Sequence, residues 1–452
     1  MTKNVLISDA NHGGLILLEE YYKYTQNNLF FYDIYNKLTE NEKEYYHERY
    51  SVTFLSLDEI KEDEDNYVKI NPIHMPPVIK TDYTHHEFVS YLLNKKGYKF
   101  KLIQVTGVKG KTTVVNLLRS LLSDFNILTL DSNSLTYNDN ILMKNLSITP
   151  ASIITAINKV KEKGVLNEID YCIFEVSLGV IPNGFISVLT NIIEDYKIAK
   201  NSSSASIAKK SVFTSDFILC DYDSFNKYYK DEKNVYTVSL DNENSDIYSK
   251  DIKYNIDHTT FKLNYFDNNY DIQHFALSDF YINNLLFAIS VALLVGIHIE
   301  NVNSHLKNSI NIKGRNSYQY INDTLIIEDI NPGLNTTSIK KCIDNLKRFN
   351  EKYVIILGGD YGITCEEIDE TKLSNYLKSI NYEKIVFTGE LGNNIRKTLN
   401  KDYLFFDTLN DALTYTLENY NEKLIQIIYR SEYHRNNENI INLIPINQSK
   451  ED

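Results

Sequence analysis

Tryptophan is absent from this 452-residue chain, and cysteine, proline and glycine are scarce. The four cysteines, Cys172, Cys220, Cys342 and Cys365, stand far apart and form no CxxC pair. That spacing argues against both a zinc knuckle and a disulfide scaffold. With 16 glycines and 7 prolines, the chain is neither collagen-like nor low-complexity. No apolar run approaches the roughly 18 residues of a membrane span. The opening MTKNVLISDANHGG has too short an apolar run for a signal peptide and no cleavage-site pattern, so a cytoplasmic location is expected. Positive charge is also in deficit: 47 Lys and Arg against 60 Asp and Glu leave a net charge of −13. A surface of that sign argues against broad binding to nucleic acid or anionic membrane, though it permits a local basic pocket for an acidic ligand.

What is present is globular. Hydrophobic residues at 43% and charged residues at 24% can build cores, and the length allows two to four domains. The most informative stretch is KLIQVTGVKGKTTVVNLLRSLLSDF, residues 101–125. An apolar run, Leu102 to Val105, enters the loop Thr106-Gly107-Val108-Lys109-Gly110-Lys111-Thr112-Thr113. Apolar residues at helical spacing follow at Val114, Val115, Leu117, Leu118, Leu121 and Leu122. Strand, glycine loop and helix in that order form a phosphate clamp. The glycines let backbone N–H groups turn inward, the helix N-terminus adds partial positive charge, and Lys111 adds a full one. The Thr112 hydroxyl is suited to a phosphate-bound Mg²⁺. ATP or a relative is the expected ligand. The general P-loop, GxxxxGK[ST], has four residues between its glycines; here only Val108 and Lys109 separate Gly107 from Gly110.

Three α/β segments are expected. In residues 1–97 a strand, NVLISDA, meets His12-Gly13-Gly14, a helical pattern and a second strand ending at Asp33. This is a Rossmann-like opening whose glycine fingerprint is incomplete, so a tight turn is favoured over dinucleotide binding. His74, His85 and His86 lie in NPIHMPP and THHEF; their spacing fits no zinc pattern and suggests a ligand-facing loop or surface histidines. Residues 98–310 carry the phosphate loop, buried strands near 170–177 and 185–191, and helices near 152–163, 206–213 and 279–296, which together predict a mostly parallel sheet. Short alternating runs near 235–277 suggest antiparallel additions. Residues 311–452 hold the strands TLIIEDI, KYVIILGG, KIVFTG and KLIQIIYR with helices between, a second doubly wound unit.

The short loop TGVKGKTT resembles that of the Mur ligase superfamily, and so does the three-segment layout of substrate domain, central ATPase and C-terminal α/β domain. Further motifs follow in family order. Glu175 in FEVSLG matches the family's Glu-x-Ser, whose Glu ligates Mg²⁺, and LTNIIEDY (189–196) resembles LTN…DH, with Tyr196 in place of a His that holds a second Mg²⁺. Ala208-Lys209 resembles the Ala-Lys whose lysine is carbamylated into a metal-binding carboxylate; Lys210 is adjacent, and a one-residue slip is open. Asn284 matches the adenine-contacting Asn, while Tyr281 replaces its companion Asn. Gly314-Arg315 looks like the Gly-Arg whose Arg reaches ATP phosphates; Glu328-Asp329-Ile330-Asn331-Pro332 and LGGD (357–360) match later turns.

The resemblance implies an ATP-dependent ligase that activates a carboxylate as an acyl phosphate. It implies ATP bound by residues 106–113, Asn284, Arg315 and Asp329, and Mg²⁺ held by Thr112, Glu175 and Lys209. Lys111, Glu175 and Lys209 are the implied catalytic residues. ATP is expected at a cleft between the second and third domains, assembled by closure. Within the superfamily, SDANHGG, NPIHMPP, YTHHEFV and EDINPGLN are most similar to the methanogen coenzyme F430 synthetases, which close the carbocyclic ring of a nickel tetrapyrrole carboxylic acid. His12, His74, His85 and His86 would then line the tetrapyrrole site or handle a proton. Alternatives are a pseudomurein or Mur-type peptide ligase and an inactive ATP-binding partner subunit.

Overall fold

The computed structural model describes residues 3–431 apart from 99, 256–257, 277, 308–314, 331, 350–351, 362–367, 381 and 383. Its strands alternate with helices, and three sheets of mainly parallel character carry the chain. The first has five parallel strands in the order Val52–Phe54, Asn28–Tyr32, Asn4–Ser8, Tyr67–Asn71, Tyr83–Thr84. Helices start where Ser or Thr precedes Glu by three residues: Thr39 with Glu42, Ser56 with Glu59 and Thr84 with Glu87 each form a reciprocal capping box. Strand order reverses about Asn4–Ser8, so the ends of Asn4–Ser8 and Tyr67–Asn71 open a crevice of the kind where α/β sheets bind ligands.

The second sheet has eleven strands. Lys101–Thr106 runs parallel between Tyr171–Glu175 and Ile186–Leu189, and the glycine loop springs from this second reversal point. Antiparallel pairing occurs at one edge, where Ser134–Tyr137 pairs with Ile127–Leu130 and Asn140–Lys144. At the other edge, Val235–Val238 pairs in parallel with Phe217–Asp221 and with the start of Ile247–Tyr254, which departs from the antiparallel expectation there. Further out, Thr259–Tyr265 and Asn268–His274 are joined by Phe266 and Asp267 alone, both at positive φ, the backbone of a tight hairpin turn. The helix expected over 206–213 is one α-turn, Ala205–Lys209, continued as the 3₁₀ stretch Lys210–Thr214.

The third sheet orders Arg315–Ile321, Thr324–Ile330, Leu424–Arg430, Tyr353–Gly359, Ile385–Thr388 and Phe405–Phe406. Its first pair is antiparallel and the others parallel. The fold is thus mixed α/β with parallel-sheet domains. Two compact units result: residues 1–251, 261–272 and 280–309, and residues 252–260, 273–279 and 310–452. In the first unit one apolar core continues from Val5, Leu17 and Phe88 to Ile153, Ile154 and Phe174, so the first two sheets share it. No helix among the described residues is long and apolar enough to cross a membrane.

Candidate active site

The glycine loop keeps its shape through two residues that cannot carry a side chain. Gly107 has φ 147 and a Cβ there would stand 2.0 Å from Thr190 Oγ1; Gly110 has φ 89 and its Cβ would stand 2.3 Å from Asn284 Oδ1. The TN of LTN latches the loop from beside it. Val108 N–H donates to the Asn191 carbonyl (3.0 Å), Lys109 N–H donates to Asn191 Oδ1 (3.2 Å), and Thr190 Oγ1 donates to the Lys109 carbonyl (2.6 Å). At the helix start, Thr112 Oγ1 donates to Glu175 Oε2 (2.9 Å), and Lys111 Nζ lies 3.2 Å from the Gly107 carbonyl and 3.9 Å from Glu175 Oε1. Ser132, which sequence reasoning did not single out, donates its N–H to Glu175 Oε2 at 3.1 Å. A hydroxyl and a carboxylate side by side at a helix N-terminus are hard oxygen donors of the type Mg²⁺ takes.

Lys209 is buried, with Nζ 3.4 Å from Thr106 Oγ1, whereas Lys210 is exposed and paired with Glu232 at 2.9 Å. Lys209 is therefore the lysine beside the loop. Burial, and then the nearby charge of Lys111, pull its amine down to about 7. An ammonium is no metal ligand, so Lys209 would hold a cation only as a carbamate. Asn284 is buried against Gly110. Tyr196 is 37% exposed, and its neighbour Asp195 accepts from the Ser206 N–H and hydroxyl at 2.7 and 2.8 Å. Thr113 is buried in the helix that follows the loop.

A second cluster sits at the reversal point of the first sheet. Asp9, at φ 77, follows Asn4–Ser8, and its buried carboxylate accepts from the Asn11 N–H (2.9 Å) and from His12 Nδ1 (2.7 Å). His74 Nε2 lies 3.2 Å from the same Asp9 oxygen. Burial alone would raise the Asp9 carboxyl, but its bonds with His12 and His74 hold it far below the usual range; the same bond raises His12. His85 and His86 are buried, and each places Nε2 on a backbone carbonyl, Ser8 at 3.1 Å and Ser177 at 3.0 Å. Burial pushes them down to about 3 and about 4, so both are neutral. These histidines, with Thr149, Pro150, Ser177 and Leu178, line a cavity of about 150 Å³. Ser177 lies only two residues beyond Glu175, so the cavity abuts the phosphate-loop carboxylate along the chain. Gly13 packs here too: its Cβ would meet Ala151 at 2.3 Å, a tight-turn role rather than a dinucleotide one. Asp33 likewise closes a turn, accepting from the Leu38 N–H at 2.8 Å.

In the other unit, Arg315 is in register with Asp329. Gly314, Asn331 and the side chain of Arg315 lie outside the described residues. Asp329 Oδ2 accepts from Gln426 Nε2 (3.1 Å) and Cys342 Sγ (3.3 Å), and Ser317 Oγ donates to Glu328 at 2.8 Å. Asp360 N–H donates to the carbonyl of Arg430, a buried arginine absent from the sequence reading, whose Nε lies 3.3 Å from the Pro332 carbonyl.

Two family models match: the Mur ligase middle domain over residues 105–292, and the C-terminal domain of coenzyme F430 synthetase CfbE over residues 318–432. The coenzyme F(430) synthetase of Methanocaldococcus jannaschii is 31% identical over 415 residues, covering 88% of this chain and 94% of the relative. The chain belongs to the coenzyme F430 synthetase family of Mur-type ligases. The family's Methanosarcina acetivorans member is 25% identical over 432 residues, 86% of this chain and 90% of that one. The MurF ligase of Thermotoga maritima, solved in complex with ADP, shares the fold with a TM-score of 0.57 at 15% identity, covering 93% of this chain and 95% of that one. A ligase of ATP-binding Mur type is the common ground of these matches. Asp9 lies in SDANHGG but is not singled out there as a site residue: its partner His74 is remote in sequence, and the parallel pairing of Asn4–Ser8 with Tyr67–Asn71 brings the segments that follow them together.

Proposed function

We propose that this ligase is a coenzyme F430 synthetase that closes the carbocyclic ring of a nickel tetrapyrrole, converting seco-F430 acid and ATP into F430, ADP and phosphate. The observation that carries the reading is the Lys111–Thr112–Glu175 cluster lying two residues from the histidine-lined cavity. A propionate oxygen of the substrate attacks the γ-phosphorus of ATP, ADP departs, and an acyl phosphate is left. A ring carbon then attacks the acyl carbon and phosphate leaves. Lys111 neutralises the transferring phosphoryl group, and Arg315 is assigned the same task from the third segment. Asn284 is assigned to adenine and Asp329 to the nucleotide site. Thr112 and Glu175, joined by a carbamylated Lys209, would hold Mg²⁺, which would supply charge neutralisation at the phosphates. The lowered Lys209 amine supports carbamylation, because only a neutral amine adds CO₂. An unmodified intact mass after bicarbonate incubation would refute it.

The test follows phosphate release from ATP and Mg²⁺ with each candidate acceptor. Turnover with seco-F430 acid alone, accompanied by a change in its visible absorption, is expected. Turnover only with an amino acid plus a peptide donor would instead make the protein a peptide ligase. Silence with every acceptor would make it an inactive ATP-binding partner.

A further inference from the structure

Ring closure at carbon needs something that the phosphate machinery does not provide. The attacking carbon begins with a C–H bond, and its proton must leave as the new C–C bond forms. Glu175 is committed to Thr112 and Ser132, and Lys111 to neutralising phosphate. The group that takes the proton must also lie beside the acyl phosphate, hence near the Glu175–Leu178 turn.

The cavity at the reversal point meets that condition. It has room for a carboxylate-bearing arm but not for a macrocycle, and Ser177 and Leu178 form part of its wall. On another wall stands His12, its Nδ1 tied to a buried carboxylate at 2.7 Å. That bond fixes the tautomer: Nδ1–H donates to Asp9, and the Nε2 lone pair is left available. A carboxylate behind an imidazole both orients it and stabilises the imidazolium formed when it accepts a proton. The other groups facing His12 do not duplicate this. His85 and His86 spend Nε2–H on backbone carbonyls. His74, with its ring centroid 4.3 Å from that of His12, shares the same Asp9 oxygen at the longer distance of 3.2 Å. Tyr35 meets His12 edge-on at 6.1 Å. Asp9, His12 and His74 do bring three possible metal ligands within 4.8 Å of one another. However, the 2.7 Å Asp9–His12 separation is that of a shared proton, and Asp9 Oδ1 is taken by the Asn11 N–H.

Resting on the ring-closing reading above, we infer that His12, oriented by Asp9, is the general base that deprotonates the attacking carbon. The C–H bond breaks with its proton passing to His12 Nε2. The freed electron pair forms the bond to the acyl carbon, and the acyl C–O bond breaks as phosphate leaves with that pair. The imidazolium then returns its proton to solvent, so nothing is oxidised or reduced.

The experiment separates the two half-reactions in full-length His12→Gln, given ATP, Mg²⁺ and seco-F430 acid. Hydroxylamine trapping reports the acyl phosphate as a hydroxamate; the product mass and spectrum report ring closure. The expected result is undiminished hydroxamate with ring closure slowed about 10²- to 10⁴-fold, partly restored by added imidazole. His74→Gln, treated alongside, should close the ring far faster than His12→Gln. Ring closure by His12→Gln at the wild-type rate would overturn the inference. So would parallel loss of hydroxamate and ring closure, or a stoichiometric transition metal on the wild type that is missing from the variant. Absence of hydroxamate with the wild type itself would instead fell the acyl-phosphate reading, and this inference with it.

Discussion

Lys209 carries its amine into the interior, 3.4 Å from Thr106 Oγ1 and within the field of Lys111. Its pKa falls from 10.5 in the exposed state to about 7 in the fold. Between those values the unfolded chain binds a proton that the native chain does not, so stability rises with pH across that window, and the full penalty applies below about 7. In CO₂-free buffer, Lys209→Met should remove this slope and raise stability at neutral pH by up to about 5 kcal/mol, while ATP-dependent turnover is lost. Urea titrations at pH 6 to 10 check both. Lys111→Ala should behave differently. Its side chain is partly exposed, the Gly107 carbonyl is a loop group, and its contact with Glu175 is long at 3.9 Å, so thermal stability should change little while phosphate release falls by about 10²-fold or more. An active Lys111→Ala would end the phosphate-clamp reading. The adjacent pair 209 and 210 marks the edge of what sequence could tell. Both are lysines, and only the burial of one helical turn separates the inward residue from its surface neighbour.

Elements were most legible where two signals agreed. At 101–125 an apolar run, a glycine loop and a helical period followed one another, and strand and helix stand where expected. Edge strands were less legible because half their side chains face water and alternate weakly: Asn140–Lys144 has no buried residue, and it and Arg315–Ile321 were not anticipated. The loop's own geometry makes a prediction. Gly110→Ala would put a Cβ 2.3 Å from Asn284 Oδ1 at φ 89. It should cost roughly 1–3 kcal/mol of stability and weaken ATP binding, measurable by calorimetry. A second prediction concerns Glu20, whose buried carboxylate joins three helical segments. It forms an ion pair with Lys96 Nζ at 2.5 Å and accepts from Asn158 Nδ2 at 2.8 Å and Lys23 Nζ at 2.9 Å. Burial opposes the charge, yet these donors hold the carboxyl down to about 2. A depressed carboxyl stabilises the fold above its ordinary 4.5 and loses that contribution as pH falls toward 2. Glu20→Ala should cost about 3–5 kcal/mol near neutrality, because it leaves Lys96 buried without its partner, and should flatten the acid limb.

At the scale of the whole molecule, the sequence predicts three segments, with the first boundary near residue 97. Their cores do not divide the same way. Ile154, on the helix Pro150–Glu162, is fully buried in an apolar cluster that also contains Val5, Leu17 and Phe88 of the first segment and Leu128 and Phe174 of the second. The clusters around the third sheet, with Ile355, Phe387 and Ile427 among their members, are separate from it. Period and composition cannot reveal such sharing, because an apolar helix face carries no mark of which sheet will cover it. The absence of tryptophan makes the point measurable. Phe54→Trp reports on the first sheet, Phe185→Trp on the second, and Phe405→Trp on the third; all three positions are only partly buried. Ile154→Ala removes core atoms at a cost of about 2–5 kcal/mol. If one core serves both sheets, it must lower the urea midpoints reported at 54 and 185 by the same amount and leave that at 405 unmoved. Midpoints at 54 and 185 that part company would mean that the first segment folds on its own, and that the histidine cavity it shares with the Glu175 turn is held together by something other than this core.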